Sequence, residues 1–557
     1  MVKKILKYLN KEISGLHQAA YLLGICAFLS QLMALVRDRL LAWSFGASHS
    51  LDVYYAAFRI PDFVFASIAS VVSISVLIPF LVERLETDKG KEFIDNVFST
   101  FVWFMGAVSI ILYLSMPALM RFFFPTLAAG ADGPEMIGMA RVLLLSPLFL
   151  GFSNFLASIT QVYKRFLIYA LAPLLYNGGI IFGIVVLYPH FGLIGLAYGV
   201  AFGALLHFSI QLPFIIEKGL LPTFRWNIDF ASIRQVASLS LPRTFTASSN
   251  EILEFFMISL ASIMASGSIS VFNFAWNLQS VPLSIIGVSY SLAAFPALAR
   301  HFAKGERDLF LAQMVGSARH IIFWSVPIMV QFIVLRAQIV RVILGTGQFN
   351  WADTRLTAAA LAFFTLSLVP QGLMLLFVRS YYARGKTMKP LLINFVCAAG
   401  SIALAYWLYH FFLDSPLFRV FIEQLMRVDS VSGTEVLMLP LAFAVGVSIN
   451  MLTHWIDFSF DYPEFTKPVF KVLFQVFGAS VLMGWLTYTL LPVFDHVFGH
   501  NTAVGVFLQG FLSGTGGIIF GILVLIALRS HELSEVWKAL HRKIWKAKPL
   551  VADQIPM

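Results

Sequence analysis

The chain has 557 residues, of which 59% are apolar, 15% aromatic and only 12% charged, and its mean hydropathy is +0.82. A soluble protein is about 45–50% apolar and about 25% charged, so a soluble enzyme, a disordered chain and a coiled coil are all excluded. The formal net charge of +10 would suggest nucleic acid in a soluble protein, but membrane proteins collect Lys and Arg in cytoplasmic loops, and no nucleic-acid partner is expected. Cys26 and Cys397 each lie in an apolar run, so neither a disulfide framework nor a structural zinc site is indicated.

A bilayer-crossing helix needs roughly 20 apolar residues. The first 16 residues, MVKKILKYLNKEISGL, are too basic and interrupted for a signal-peptide core and read as an amphipathic interfacial helix. After them come 14 apolar stretches, at 18–45, 53–82, 95–120, 137–162, 167–188, 192–216, 236–264, 269–299, 320–345, 356–381, 388–411, 435–456, 468–491 and 502–528. With the N-terminus inside, the cytoplasmic segments carry 28 Lys and Arg and the external loops 5. That asymmetry places both termini in the cytoplasm. The tail 530–548 spaces Val536, Trp537, Leu540, Ile544 and Trp545 helically among basic residues and is expected on the inner membrane surface.

Two regions rhyme. FGASHSLDVYYAAFRIP (45–61), followed by Pro79, resembles MASGSISVFNFAWNLQSVP (264–282), followed by Pro296. Each reads as a long helix, a Gly-Ser turn, then a helix broken by proline. YKRFLIYALAPLLYN (163–177) likewise matches YYARGKTMKPLLIN (381–394). The chain is therefore read as all-α and polytopic, with about 14 transmembrane helices: two six-helix lobes in parallel pseudo-repeat plus two C-terminal helices. The expected organisation is a cytoplasmic amphipathic N-terminus at 1–17, an N-lobe at 18–216, a cytoplasmic linker at 217–235 and a C-lobe at 236–456. Helices 13 and 14 follow at 468–528, then a basic amphipathic tail at 529–557.

Charge inside a span costs roughly 2.5–3.5 kcal/mol on insertion scales, so such residues are functional or paired. The sequence places Arg37-Asp38-Arg39 in helix 1, Asp52 and Arg59 two turns apart at the start of helix 2, and Arg243, Glu251 and Glu254 in helix 7. One reading is a polar cavity that accepts a charged headgroup or ion. The other is a set of structural ion pairs near helix ends, with arginines snorkelling to the interface. His207 and His320 read as satisfied interior or interface histidines. The doubled G-x-x-x-G in GFLSGTGGIIFG (510–521) implies close helix packing or a slot for a lipid chain. GKT at 385–387 resembles the end of a phosphate-binding loop, but Ser380 stands where that motif needs glycine. No catalytic motif is present and no loop is long enough for a soluble catalytic domain, so the expected function is not enzymatic.

The stretch LVRDRLLAWSFGASHSLDVYYAAFRIPDF (35–63) resembles the helix 1–2 signature of the MurJ (MviN) lipid II flippases of the MOP superfamily. So do 163–200, RVILGTGQFNWADTRLTAAALAFFTLSLVPQGL (341–373) and FVRSYYARGKTMKP (377–390). The resemblance implies a central cationic cavity between two lobes, with a lipid-tail groove on helices 13 and 14. It implies movement of undecaprenyl-pyrophosphate-linked peptidoglycan precursor from the inner to the outer leaflet of the bacterial cytoplasmic (inner) membrane, by alternating access. The partners would be that lipid and the membrane lipids, and a monomer is the default. No cofactor is expected beyond Na+ or H+ coupling or the membrane potential. The family's helix 1 pair matches Arg37 and Asp38, its acidic residue after the turn matches Asp52, and its basic residue before the helix 2 proline matches Arg59. Three family arginines fall on Gln31, Phe65 and Asn277, and a family glutamate falls on Ser70. Arg243 is a candidate replacement. The family's helix 7 cation ligand aligns with Met257, with Glu254 nearly one turn away and Glu251 beside it. The alternatives are another MOP-type exporter, such as a polysaccharide-lipid flippase or a cation-coupled antiporter, and a homologue that kept the fold and lost transport.

Overall fold

The structure is a computed structural model that describes residues 16–67, 81, 90–226, 249, 251–499 and 502–545. The N-terminal amphipathic segment, Ser70, Pro79, residues 227–235 of the linker, Arg243 and the end of the tail lie outside the described residues. Fifteen helices are used below. They are α1 (Leu16–Phe45), α2 (His49–Ser67), α3 (Gly90–Phe123), α4 (Gly133–Val162), α5 (Phe166–Phe191), α6 (Ile194–Glu217) and α7 (251–261). They continue with α8 (Ser268–Ala303), α9 (Arg307–Val334), α10 (Trp351–Ala383), α11 (Met388–Asp414), α12 (Thr434–Asp461), α13 (Pro463–Phe498), α14 (Ala503–Ala527) and α15 (His531–Trp545). Among the described residues there is no strand.

Eleven of these helices, α3 to α6 and α8 to α14, are long and apolar enough to cross a membrane. Each coincides with one apolar stretch of the sequence. The boundaries differ where helix outlasts apolarity. α9 starts at Arg307 rather than near 320 and stops at Val334, with a separate short helix at Arg336–Ile343. Its first turns are polar, so hydropathy alone misses them. α8 corrects another expectation. Pro296 does not break it, and the helix runs through to Ala303. A proline removes one intrahelical hydrogen bond, and a membrane helix tolerates that when neighbours re-satisfy the backbone. α8 instead departs from regularity at a π-helical turn, Ser284–Val288.

The chain divides into two compact units. The first comprises 1–278, 343–364 and 386–450. Its apolar core gathers Phe93, Ile94 and Phe101 of α3, Phe155 and Ile159 of α4, and Phe214 of α6. α5 and α6 meet through glycines. A Cβ on Gly183 would sit 2.7 Å from the Cα of Gly199, and one on Gly203 would meet the carbonyl of Tyr176 at 2.5 Å. Both helices carry glycines four apart, the spacing that lets membrane helices approach backbone to backbone.

The second unit comprises 279–342, 365–385 and 451–557. Its core is aromatic, with Phe310, Phe377, Tyr381, Phe458 and Phe465 fully buried. Here the 510–521 glycines are packing surfaces. A Cβ on Gly510 would meet Gln338 at 3.1 Å, one on Gly514 Leu335 at 3.0 Å, and one on Gly521 Met483 at 3.1 Å. Gln331 Nε2 donates to Thr487 Oγ1 at 3.0 Å in the same layer.

α15 docks on this unit. Leu533 and Val536 pack against the core, and Arg319 Nε donates to Glu532 Oε1 at 2.8 Å. Ser530 Oγ donates to the other carboxylate oxygen at 2.9 Å. His320 and His531 both reach Glu535, at 3.1 and 3.0 Å. Burial works against ionising Glu532, but its own backbone N–H, Arg319 and Ser530 together hold the carboxyl below the usual carboxylate range. A lowered folded pKa stabilises fully above the unfolded value of about 4.3 and is lost as pH falls through the folded one. Hydrogen exchange in α15 should therefore accelerate only below about pH 4, and Glu532→Gln should remove that acid step. A step that survives the substitution would assign it to another group.

Candidate functional site

Of the charged residues singled out in helices 1, 2 and 7, Arg37, Asp38, Asp52, Arg59, Glu251 and Glu254 all lie within the first unit. α1 ends at Phe45, and Gly46 takes φ +63° to turn the chain into α2. That hairpin places Arg37 and Asp38 beside α2. α2 is buried along most of its length, including Asp52, Tyr54, Tyr55 and Arg59.

Arg37 donates from Nε to Asp38 Oδ1 at 2.9 Å, and its Nη2 lies 2.8 Å from the same oxygen. Its Nη1 reaches Asn177 Oδ1 of α5 only at 3.5 Å, the outer limit of a hydrogen bond. The guanidinium is 23% exposed while Asp38 is 4% exposed. Asp38 is held from its other side by Asn277 Nδ2 of α8, at 3.0 Å. Asn177 in turn donates to Ser30 Oγ at 3.2 Å. The acid is thus fixed, and the arginine keeps donor capacity toward open space.

Arg59 is more enclosed. Its Nη1 donates to Glu254 Oε1 of α7 at 2.6 Å, and its Nη2 donates to Asn273 Oδ1 of α8 at 2.7 Å. Its Nε has no partner. Asp62, one turn along α2, lies within electrostatic range of Arg59 and Glu254, and Glu251 interacts with both Glu254 and Asp62.

Asp52 does different work. It is 3% exposed. Its Oδ2 accepts from the Gly267 N–H at 2.6 Å, and its Oδ1 accepts from Ser270 N–H and Oγ, both at 2.7 Å. These are the free donors at the start of α8, where the helix dipole also favours an anion. Asp52 therefore pins the α1–α2 turn to the α7–α8 turn. Backbone contacts reinforce the pin. Gly267, at φ +90°, lies against Ala47, and Gly347 lies against Trp43. Gln348 N–H donates to Trp43 O at 3.0 Å.

Sequence reasoning named Arg37, Asp38, Asp52, Arg59, Glu251 and Glu254, and all six fall in this region. Arg243 lies outside the described residues. It missed Asp62, Asn177 and Asn273. Asp62 was open to detection, being one helical turn from Arg59. The two asparagines carry no local signal, because their partners are 140 and 214 residues away. Of the positions where arginine was expected, Asn277 joins the cluster through Asp38, Phe65 packs against the apolar core, and Gln31 is half-buried. The resemblance implies a cationic cavity. Among the described residues, Arg37 and Arg59 stand with four acids, Asp38, Asp62, Glu251 and Glu254, while Asp52 is taken up by the α8 start. Among the described residues, no group of three or more His, Cys, Asp or Glu converges as metal ligands would.

Elsewhere, His207 Nδ1 is bonded to Ser153 Oγ at 2.7 Å, and His320 stacks on Tyr290. His207 is thus a bonded interior residue, while His320 pairs through Nε2 with Glu535 and leaves its Nδ1 buried without a partner. GKT at 385–387 lies in the α10–α11 turn.

A family model described as "Lipid II flippase MurJ" matches residues 41–507. A probable lipid II flippase MurJ of Haemophilus influenzae is 25% identical over 525 residues, covering 91% of this chain and 99% of its own. The lipid II flippase MurJ of Burkholderia cenocepacia is 24% identical, covering 65% and 72%. Among solved structures, a lipid II flippase MurJ in an inward closed conformation superposes with a TM-score of 0.71 at 21% identity, covering 92% of this chain and all of the other. An inward-facing multidrug-resistance MATE transporter of the MOP superfamily scores 0.63 at 14% identity, over 81% and 99%. These two share the fold.

Proposed function

The chain belongs to the MurJ family of lipid II flippases, and we propose that it moves a lipid-linked peptidoglycan precursor from the inner to the outer leaflet of the bacterial inner membrane by alternating access. The observation that carries this reading is the family match over residues 41–507, together with Arg37 standing partly open beside a fixed acid. A pyrophosphate needs forked cationic donors, which arginine supplies. Exchange of the 3.5 Å Asn177 contact for a phosphate oxygen costs the protein little. Arg59, and Arg243 outside the described residues, are the further cationic groups of the same reading. Both termini sit in the cytoplasm, the two six-helix lobes rock about the polar cluster, and the prenyl tail follows helices 13 and 14.

The excess of carboxylates bears on the energy source. An anionic headgroup entering a site where four described acids surround two arginines calls for a counter-charge. Na+ or H+ taken up at Glu251 and Glu254 would supply it. The membrane potential is the other source, at about 2.3 kcal/mol per charge per 100 mV.

The test is outer-leaflet exposure of lipid II in cells depleted of their own flippase and supplied with this protein. Exposure should be restored, and Arg37→Ala should abolish it with the protein still folded in the membrane. No restoration by the folded protein would favour a different lipid-linked substrate or a non-transporting homologue.

A further inference from the structure

Between α2, the second half of α3 and α7 lies a cavity of about 320 Å³. Ile60 and Val64, Leu112 and Leu119, and Ile252 and Phe255 form its wall, and every lining residue is apolar. A cavity of about 150 Å³ lined by Leu, Ile and Phe stays dry and accepts benzene or xenon. One twice that size with the same lining rejects water and takes hydrocarbon. α3 says where the hydrocarbon comes from. Only 22% of its apolar window is buried within the protein, the smallest share among the candidate spans. Ile110, Ile111 and Leu114 on the same helix are strongly exposed. In a bilayer, acyl chains bathe that face. A wall without polar side chains has nothing to hold a headgroup, so it selects for a chain.

We propose that this cavity binds one acyl chain of a bilayer phospholipid, separate from the transported lipid. The slot is joined to the polar cluster by covalent neighbours. Ile60 follows Arg59, and Phe255 follows Glu254, so the turns that wall the slot also hold the 2.6 Å Arg59–Glu254 pair. Ser259 Oγ donates to the Phe123 carbonyl at 2.6 Å and ties α7 to the end of α3. A chain seated in the slot props α2 and α7 at the spacing the ion pair needs.

The test uses full-length protein in phosphatidylethanolamine–phosphatidylglycerol vesicles containing a phospholipid with a diazirine in its acyl chain. Photolysis and peptide mass spectrometry should place adducts on Leu112, Leu119, Ile252 or Phe255. Filling the slot with Leu119→Trp should lower those adducts at least about fivefold, while the volume-conserving Leu119→Met keeps them. Leu112→Phe is the second filling variant should the tryptophan misfold, and labelling at exposed Ile519 of α14 reports folding in each case. Adducts confined to Ile110 and Leu114, or unchanged by both filling variants, would reduce the slot to ordinary bilayer contact and overturn the proposal. Loss of the adducts on adding an equimolar polyprenyl pyrophosphate would assign the slot to the transported lipid and overturn it as well.

Discussion

Replacing Asp52 by alanine should release the start of α8 from the α1–α2 turn. The substitution strands the Gly267 and Ser270 N–H groups and the Ser270 hydroxyl, all now bonded at 2.6–2.7 Å to one buried carboxylate. Each unsatisfied buried donor costs about 1–3 kcal/mol, and bonds to a charged acceptor sit at the upper end. With partial relaxation, a total near 3–4 kcal/mol is expected, which is a factor of about 10²–10³ in local opening. Amide exchange at Gly267 and Ser270 should accelerate by that factor, with exchange in the α13–α14 hairpin unchanged. Asp52→Asn keeps one acceptor oxygen and should fall between. If Asp52 instead acts by touching the transported headgroup, Asp52→Asn would impair transport with no change in exchange, and the pinning role would fail.

Asp52 also illustrates what the sequence conceals. An acid two turns before Arg59 in a membrane helix invites a binding role, and only its partners, 215 and 218 residues away, reveal a helix cap. The spans were legible because burial in lipid demands long apolar runs, whatever the tertiary contacts. Eleven of the apolar stretches return as helices of the expected kind. Their ends were not legible where polar turns continue the helix, as at Arg307. The α8 π-turn follows closely on Pro282, a visible mark in the repeat, whereas Pro296 leaves the helix continuous. The packing of α5 on α6 was written in glycines four apart at 179–183 and 199–203, a pattern as clear as the one at 510–521. In the polar cluster, the charged residues could be found because charge in a span is rare. The asparagines that orient them could not, since asparagine in an apolar helix has no preferred partner until the fold supplies one.

Glu254→Leu should be the most damaging single change in the polar cluster. It leaves the Arg59 guanidinium, 10% exposed, with Asn273 as its remaining hydrogen-bond partner and a bare Nε. Removing one member of a buried ion pair costs about 3–5 kcal/mol, whereas replacing both with apolar groups is often neutral. Arg59→Met with Glu254→Leu should therefore recover most of the thermal stability that Glu254→Leu loses, and the cycle should show a coupling of at least about 2 kcal/mol. Transport separates structure from function. If Arg59 meets the pyrophosphate once Glu254 releases it, the double variant will be stable and inactive. A stable and active double variant would make the pair purely structural. The Glu254→Gln variant addresses coupling, since it keeps the hydrogen-bond acceptor and removes the charge. Na+ dependence of transport should disappear in it if a cation exchanges with Arg59 for that carboxylate. Dependence that persists would move the coupling site to Glu251 or Asp62, the two acids already within electrostatic range of the pair.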